Sequence, residues 1–506
     1  MDLTVRLTRE LVVVPATGDH GRWPAPDEGG RNPPPGYDRP VADLRSAAHL
    51  ARTGPSDALA TDGTGEQLDG ADGDARKARR PEGKARALLE SPAGALFPLI
   101  LVTAQVVLSY LHLRAPAAIV TATGNLKSTF QGPLFHRLIY SDLYTEYSFH
   151  NLFHHPFPYL HQTIEYPVLT GIYMSVAAAL THNVREYFLL SSIGLWVCAA
   201  GSVLVLWSWS RRAAWLLAVC PLVFLYALLN WDVFAIFLML LGWHQYRRGR
   251  YASAGAWLSA GTFAKVYPAF LLVFLLIELA RRARAGEAGV TRRSVLTLAG
   301  SAAAVAVVIN VPFMVLNFSN WAVFWRFNAR RRDEAGLLYW ARLLNNVPIR
   351  TAGDILLAVV AAILLVGAAV VWRGASARKV AAVVFAGFLL VQKVYSPQYT
   401  LWLVVFALLA EWEAWTLVLL TAGGLYDYVN SVVILELSVS HSPAFGWYYE
   451  RVFPLGRAAR LSAIGISAAG AVWAEWRRKQ RLGSEPPPGR SGATTPEAGE
   501  SRPLRA

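Results

Sequence analysis

The sequence predicts an all-α polytopic membrane protein, and three observations predict it. Of 506 residues 54% are hydrophobic and 16% charged, with a positive mean hydropathy, which is too apolar for a soluble chain of this length to cover with polar surface. Apolar stretches follow one another from Leu96 to Trp476 with no polar block long enough to fold separately. The basic residues behind the net charge of +14 stand in small knots between those stretches, the pattern of loops that stay on the cytoplasmic side. Anionic headgroups, and not nucleic acid, are therefore the expected partner of that charge.

Residues 1–90 are rich in Gly, Pro, Asp, Ala and Arg, with one short apolar run from Leu11 to Val14, and read as a disordered cytoplasmic tail. No signal peptide is expected there, because the first long apolar run, Gly94 to Leu113, follows the basic cluster Arg76, Lys77, Arg79, Arg80, Lys84 and Arg86. The membrane domain, residues 91–476, holds apolar segments near 95–113, 167–181, 188–209, 213–229, 231–245, 252–264, 269–280, 294–316, 351–372, 380–393, 398–411, 415–429 and 456–475. Placing Arg211-Arg212, Arg247-Arg248-Arg250, Arg281-Arg282-Arg284, Arg373-Arg378-Lys379 and Arg477-Arg478-Lys479 inside leaves one segment too many before Arg211. The segment starting at Pro167 is then a re-entrant or interfacial helix, and about twelve crossings remain with both tails cytoplasmic. Residues 477–506 repeat the pattern of a basic stop followed by a disordered tail. Cys198 and Cys220 sit within apolar stretches, where a thiol behaves as a small buried hydrophobe.

This topology leaves a chemically distinctive set of loops on the outer face: Arg114 to Tyr166, Asn230 to Asp232, Lys265 to Pro268, Asn317 to Arg350 and Lys393 to Tyr399. In the first of these, Asp142 and Glu165 are candidate general bases, since partial desolvation at the mouth of an apolar cavity lifts a carboxylate toward neutrality. The plainer alternative has Asp142 capping a short helix and Glu165 pairing with a loop arginine. Four histidines follow, His150, His154, His155 and His161. Pro156 and Pro158 interrupt the segment that would hold a pair of them on one helical face, so no metal or other cofactor is expected, and interfacial packing or contacts to sugar hydroxyls use the same residues.

Arg326, Arg330, Arg331 and Arg332 violate the positive-inside tendency if their loop is outside, and guanidinium forks that bind phosphate supply a reason. The alternative is a solvated run neutralised by Asp333 and Glu334. Lys265 and Lys393 lie in or beside apolar segments, as phosphate contacts or as snorkelling side chains. Asp232 and Asp427 are the acids next expected at membrane depth, with Asn230-Trp231-Asp232 as a helix start. Gly-rich phosphate loops, Cys-x-x-Cys pairs and nucleophile elbows are absent from the sequence, which disfavours soluble nucleotide-using chemistry.

Six motifs taken in order and spacing resemble a known family. They are Tyr140-Ser141-Asp142, Glu165-Tyr166-Pro167-Val168-Leu169-Thr170-Gly171, Asn230-Trp231-Asp232, Ala264-Lys265-Val266-Tyr267-Pro268, Arg326-Phe327-Asn328-Ala329-Arg330 and Lys393-Val394-Tyr395-Ser396-Pro397-Gln398-Tyr399. From about Leu96 to Trp415 the chain looks like the membrane-embedded C-type glycosyltransferases, and within them glycosyltransferase family 87, the polyprenol-phosphate-mannose-dependent alpha-mannosyltransferases. The resemblance implies a bundle of about twelve transmembrane helices with a long first extracytoplasmic loop, in the plasma membrane, with its site on the extracytoplasmic face. It implies an inverting transfer of a sugar, expected to be mannose, from a polyprenyl-phosphate donor to a glycolipid or glycan acceptor of the cell envelope.

In that reading Asp142 is the catalytic carboxylate, with Glu165 beside it. Arg326, Arg330, Arg331, Lys393 and Lys265 face the donor phosphate, and Tyr140, Tyr166, Asn328, Tyr395, Gln398 and Asp232 contact the sugar or the acceptor. The second basic pair, Arg331-Arg332, departs from the family pattern. A transporter or flippase of lipid-linked sugars would also need broken helices, and a lipid-linked oligosaccharide polymerase or ligase would also handle polyprenyl phosphates. A scaffold acting through its tails has only their disorder behind it.

Overall fold

The computed structural model describes residues 92–123, 139–152, 154, 157–331, 336–337 and 349–484. The expected N-terminal tail, residues 1–90, and residues 485–506 of the expected C-terminal tail 477–506 lie outside the described residues, as do His155, Pro156, Arg332, Asp333 and Glu334. All the regular structure among the described residues is helical, with a single isolated bridge between Pro158 and Gln162 and no strand.

Five described helices are long and apolar enough to cross a membrane, the mark of a membrane protein: Leu96–Ala117, Val184–Trp207, Arg292–Trp321, Gly353–Trp372 and Ala414–Ser438. They belong to α1 (Leu96–Thr123), α4 (Val184–Trp207), α10 (Arg292–Trp321), α12 (Ile349–Trp372) and α15 (Ala414–Val439). Their outer faces carry exposed Val308, Val315, Leu357, Leu365 and Val418, apolar surface of a kind that a bilayer covers. Between them stand α2 (Asp142–Phe149), α3 (Val168–Ala179), α5 (Arg211–Ala218), α6 (Pro221–Tyr226), α7 (Asp232–Arg247), α8 (Tyr251–Ala264), α9 (Pro268–Arg284), α11 (Val323–Arg330), α13 (Ala377–Val391) and α14 (Tyr399–Leu409). The chain closes with α16 (Phe445–Arg451) and α17 (Phe453–Ser484).

Helix α8 packs between α7 and α10, α4 packs on α1 and α7, α13 on α9 and α12, and α17 on α15. Small residues set these approaches. Gly255 of α8 leaves no room for a Cβ against the backbone of Leu298 in α10.

Several expected segments take a different form. The stretch 213–229 is two short helices, because Pro221 cannot continue the ladder and holds Cys220 extended (φ −71°, ψ 114°). The stretch starting at Pro167 is the twelve-residue α3, which rises about 18 Å and is too short to span a bilayer core. The expected outer loop 317–350 begins inside a helix. Asn317 leaves helical geometry (φ −155°, ψ 83°), its side chain donates to the Leu160 carbonyl at 3.2 Å, and the chain stays helical through α10 and α11 to Arg330. The C-terminal helix runs past the basic stop at Arg477 to Ser484.

Candidate active site

Asp142 is the first residue of α2, and its place is fixed from both sides. Ser141 is the N-cap, its hydroxyl accepting from the Leu143 amide while donating to the Leu228 carbonyl at 2.6 Å. The Asp142 amide donates to the Leu229 carbonyl at 2.8 Å. Capping therefore falls to Ser141 and leaves the Asp142 carboxylate for other partners. The start of α2 is docked on the chain end that leads into Asn230.

Three donors converge on that carboxylate. Tyr140 donates to Oδ1 at 2.6 Å, while Asn230 Nδ2 and the Tyr166 hydroxyl donate to Oδ2 at 2.5 and 3.2 Å. Asn230 Nδ2 also lies 2.8 Å from the Tyr166 oxygen, so the amide and the phenol fix each other. A carboxylate offers about four acceptor sites, and one on Oδ1 remains for a further hydroxyl. Burial lifts the Asp142 carboxyl above the usual carboxylate range, with the Tyr140 bond, the nearby Lys265 charge and the Asn230 and Tyr166 bonds working against that rise. A partly exposed carboxylate in this state can take a proton from a hydroxyl, the role of a general base.

Lys265 does not snorkel. Helix α8 ends at Ala264 and Lys265 is extended (φ −151°, ψ 141°), which turns its side chain inward to 9% exposure. Its Nζ lies 3.3 Å from Asp232 Oδ1 and 4.5 Å from the centre of the Tyr166 ring. The ammonium is thus engaged by a fully buried carboxylate and an aromatic face, where it tunes Asp142 through space. Asp232 begins α7 without capping it, and the Tyr267 hydroxyl donates to its carbonyl at 3.2 Å.

The Glu165 to Gly171 stretch closes the site. Thr170 donates to the Ala264 carbonyl at 2.7 Å, which docks α3 beside Lys265. The Tyr159 hydroxyl stands 2.9 and 3.0 Å from the carbonyl oxygens of Tyr166 and Pro167 and donates to that pair. A Cβ at Gly171 would overlap the Tyr159 ring. Gly171→Ala therefore displaces the side chain that anchors Tyr166, and we expect a loss of about 1–3 kcal/mol of stability, measurable by thermal unfolding in detergent.

Tyr166→Phe removes one of the donors that favour the charged form of Asp142. The carboxyl then rises further above its ordinary value, so the acid limb of an activity–pH profile moves to higher pH. A limb that stays in place would show that Asp142 does not titrate in the rate.

Among the described residues Glu165 pairs with His150: His150 Nε2 stands 3.3 Å from its Oε2 and 2.9 Å from Glu146 Oε2. Burial disfavours the imidazolium, but the carboxylate oxygens of Glu146 and Glu165 beside Nε2 outweigh it and push His150 up to about 9. Glu165 is thereby engaged away from Asp142. Glu146 escaped the sequence reading, although its spacing of four from Asp142 and from His150 was the available signal.

The two remaining motifs border this centre. Tyr399 stacks on Trp402, which stacks on Tyr267, with ring centres 3.9 and 4.3 Å apart, and the charges of Arg331, Asp232 and Asp142 all reach Tyr399. Lys393 Nζ donates to the Ala329 carbonyl at 2.8 Å, tying the 393–399 turn to α11. Tyr395 shares a 2.7 Å hydrogen bond with Thr400, and Ser396 donates to Gln398. Arg326 and Arg330 are exposed, Arg331 lies over the Phe327 ring, and Asn328 donates back to the Phe324 carbonyl at 2.8 Å. The structure thus joins Tyr140, Asp142, Tyr166, Asn230, Asp232 and Lys265 directly, and brings Arg331 and Asp142 within electrostatic reach of the same residue, Tyr399.

Together the fold and the site define a helical membrane protein with a hydrogen-bonded carboxylate at the meeting point of four chain segments. No family model matches the chain, and no curated protein matches it.

Proposed function

We propose that this chain is an integral membrane glycosyltransferase that moves a sugar, mannose in the first instance, from a polyprenyl-phosphate donor to a glycolipid or glycan acceptor of the cell envelope. The observation that carries the reading is the convergence on Asp142 of Tyr140, Tyr166 and Asn230, with Lys265 and Asp232 behind them, from four segments separated by up to 125 positions. Asp142 takes the proton of the acceptor hydroxyl as that oxygen attacks the anomeric carbon. The polyprenyl phosphate departs from the opposite face, which inverts the anomeric centre.

The exposed guanidinium groups of Arg326 and Arg330 are the cations open to the leaving phosphate, since Lys265 is held by Asp232. The proposal includes about twelve crossings, a plasma-membrane location and a site on the extracytoplasmic face. Membrane lipids and the lipid-linked donor are the partners, and nucleic acid is not one.

The test supplies membranes carrying the protein with radiolabelled polyprenyl-phosphate mannose and native envelope lipids. Transfer of label above that of membranes lacking the protein supports the proposal. Absence of transfer from the polyprenyl-phosphate sugars, with the protein present and folded, overturns it and makes transport of the lipid-linked sugar the next reading.

A further inference from the structure

We propose that Glu146, His150 and Glu165 form a binding site for one divalent cation of the zinc or manganese class. Asp142, Glu146 and His150 follow one another at intervals of four along α2 and its C-cap, which sets all three on one helical face. Glu165 approaches that face from the segment before α3. One oxygen of each glutamate and one nitrogen of His150 lie within 4.8 Å of one another, and the two carboxylate oxygens flank the same ring nitrogen at 2.9 and 3.3 Å.

A single Nε2–H cannot serve both carboxylates well. Glu146 Oε2 is buried without an aligned hydrogen-bond donor, even though Nε2 is the atom 2.9 Å away. A divalent ion at the centre of the three atoms resolves this: it displaces the Nε2 proton to solvent, each donor then directs a lone pair to it, and the two negative charges are balanced. Bond lengths of about 2.0–2.2 Å to imidazole nitrogen and carboxylate oxygen place donor atoms roughly 3–4 Å apart, so the present spacing needs only small shifts. One imidazole and two carboxylates suit zinc or manganese, and the remaining coordination positions go to water.

The ion's helical ligands Glu146 and His150 stand about one and two turns, some 6 and 12 Å along the axis, from the Asp142 end of α2. Asp142 is not among its ligands. The ion fastens α2, which carries Asp142, to the Glu165-Tyr166 segment, whose phenol bonds the Asp142 carboxylate. Its role is to hold the two halves of the site in register. Occupancy does not depend on which reaction the protein performs, so failure of the glycosyltransferase reading leaves this inference standing.

The full-length protein, purified in detergent and stripped with a chelator, is titrated with Zn²⁺ and separately with Mn²⁺, with binding read by calorimetry and by the shift in Tm. The wild type is expected to take up one equivalent of at least one of these ions and to gain Tm on doing so. His150→Ala and Glu165→Gln each weaken that binding by tenfold or more and abolish the gain in Tm, while His154→Ala retains both. Two substitutions on different segments keep the test decisive if one of them folds poorly. Lack of uptake of both ions by the wild type, or uptake unchanged in both variants, overturns the site.

Discussion

Asp142→Asn is expected to lower the proposed sugar transfer by about 10²–10⁴-fold, the range that a positioned general base contributes, with little change in binding of the proposed donor. The amide has the shape of the carboxylate and leaves the start of α2 intact, since Ser141 provides the cap and the main chain of Asp142 provides the bond to Leu229. Its hydrogen bonds also survive with one adjustment. The side-chain oxygen faces Asn230 and Tyr166, and the new amine faces Tyr140, whose hydroxyl rotates from donor to acceptor. The protein therefore stays folded, and what is lost is the ability to take a proton. Transfer of label from polyprenyl-phosphate mannose, normalised to folded protein, is the measurement. A variant that keeps the wild-type rate removes Asp142 from the base role, and Glu165 is a poor successor because His150 and Glu146 engage it.

The fold class is legible in the sequence because bilayer physics acts on composition and length, which no tertiary contact can disguise. The breaks are legible where proline or a charge enforces them, as at Lys265 to Pro268. Single spans are harder to read. The segment 213–229 has the hydropathy of one crossing, yet Pro221 divides it, and α10 runs on through a kink at Asn317 where polar residues predict a loop.

The carboxylates Asp142 and Asp232 stand out because an acid beside apolar sequence needs a reason. Their partners are legible only as neighbours in short motifs, since nothing in one chain of letters says that Asn230 will meet Asp142 across 88 positions. Arg460 is missed for the same reason. It sits in a run of alanines and leucines close to other basic residues, where it reads as one more charge near a helix end. The Glu146, His150 and Glu165 group is missed because attention falls on adjacent histidines, while the helix that aligns the group ends at Phe149, just where the prolines begin to break the chain.

Arg460→Met costs about 3–5 kcal/mol of stability, and Asp427→Leu a similar amount, because each removes the hydrogen-bonded counter-charge of a buried partner in the helix bundle. The pair joins α15 to α17: Arg460 Nη1 stands 2.9 Å from Asp427 Oδ1, with side-chain exposures of 4% and 1%. Asp427 lies within the apolar stretch Ala414–Ser438, where water is not at hand to solvate an orphaned carboxylate. Arg460 also covers the Tyr395 ring at 3.8 Å, so its loss frees the 393–399 turn as well as the acid. The double variant Asp427→Leu with Arg460→Met removes both charges and leaves apolar side chains in their place. It is therefore expected to be more stable than either single variant, and unfolding in detergent of all four proteins gives the coupling directly. Additive losses would mean that the two charges are solvated independently and that the contact is incidental. A large coupling would mean that the ion pair specifies how α17 docks on α15, and through Tyr395 how the last motif is held beside the site.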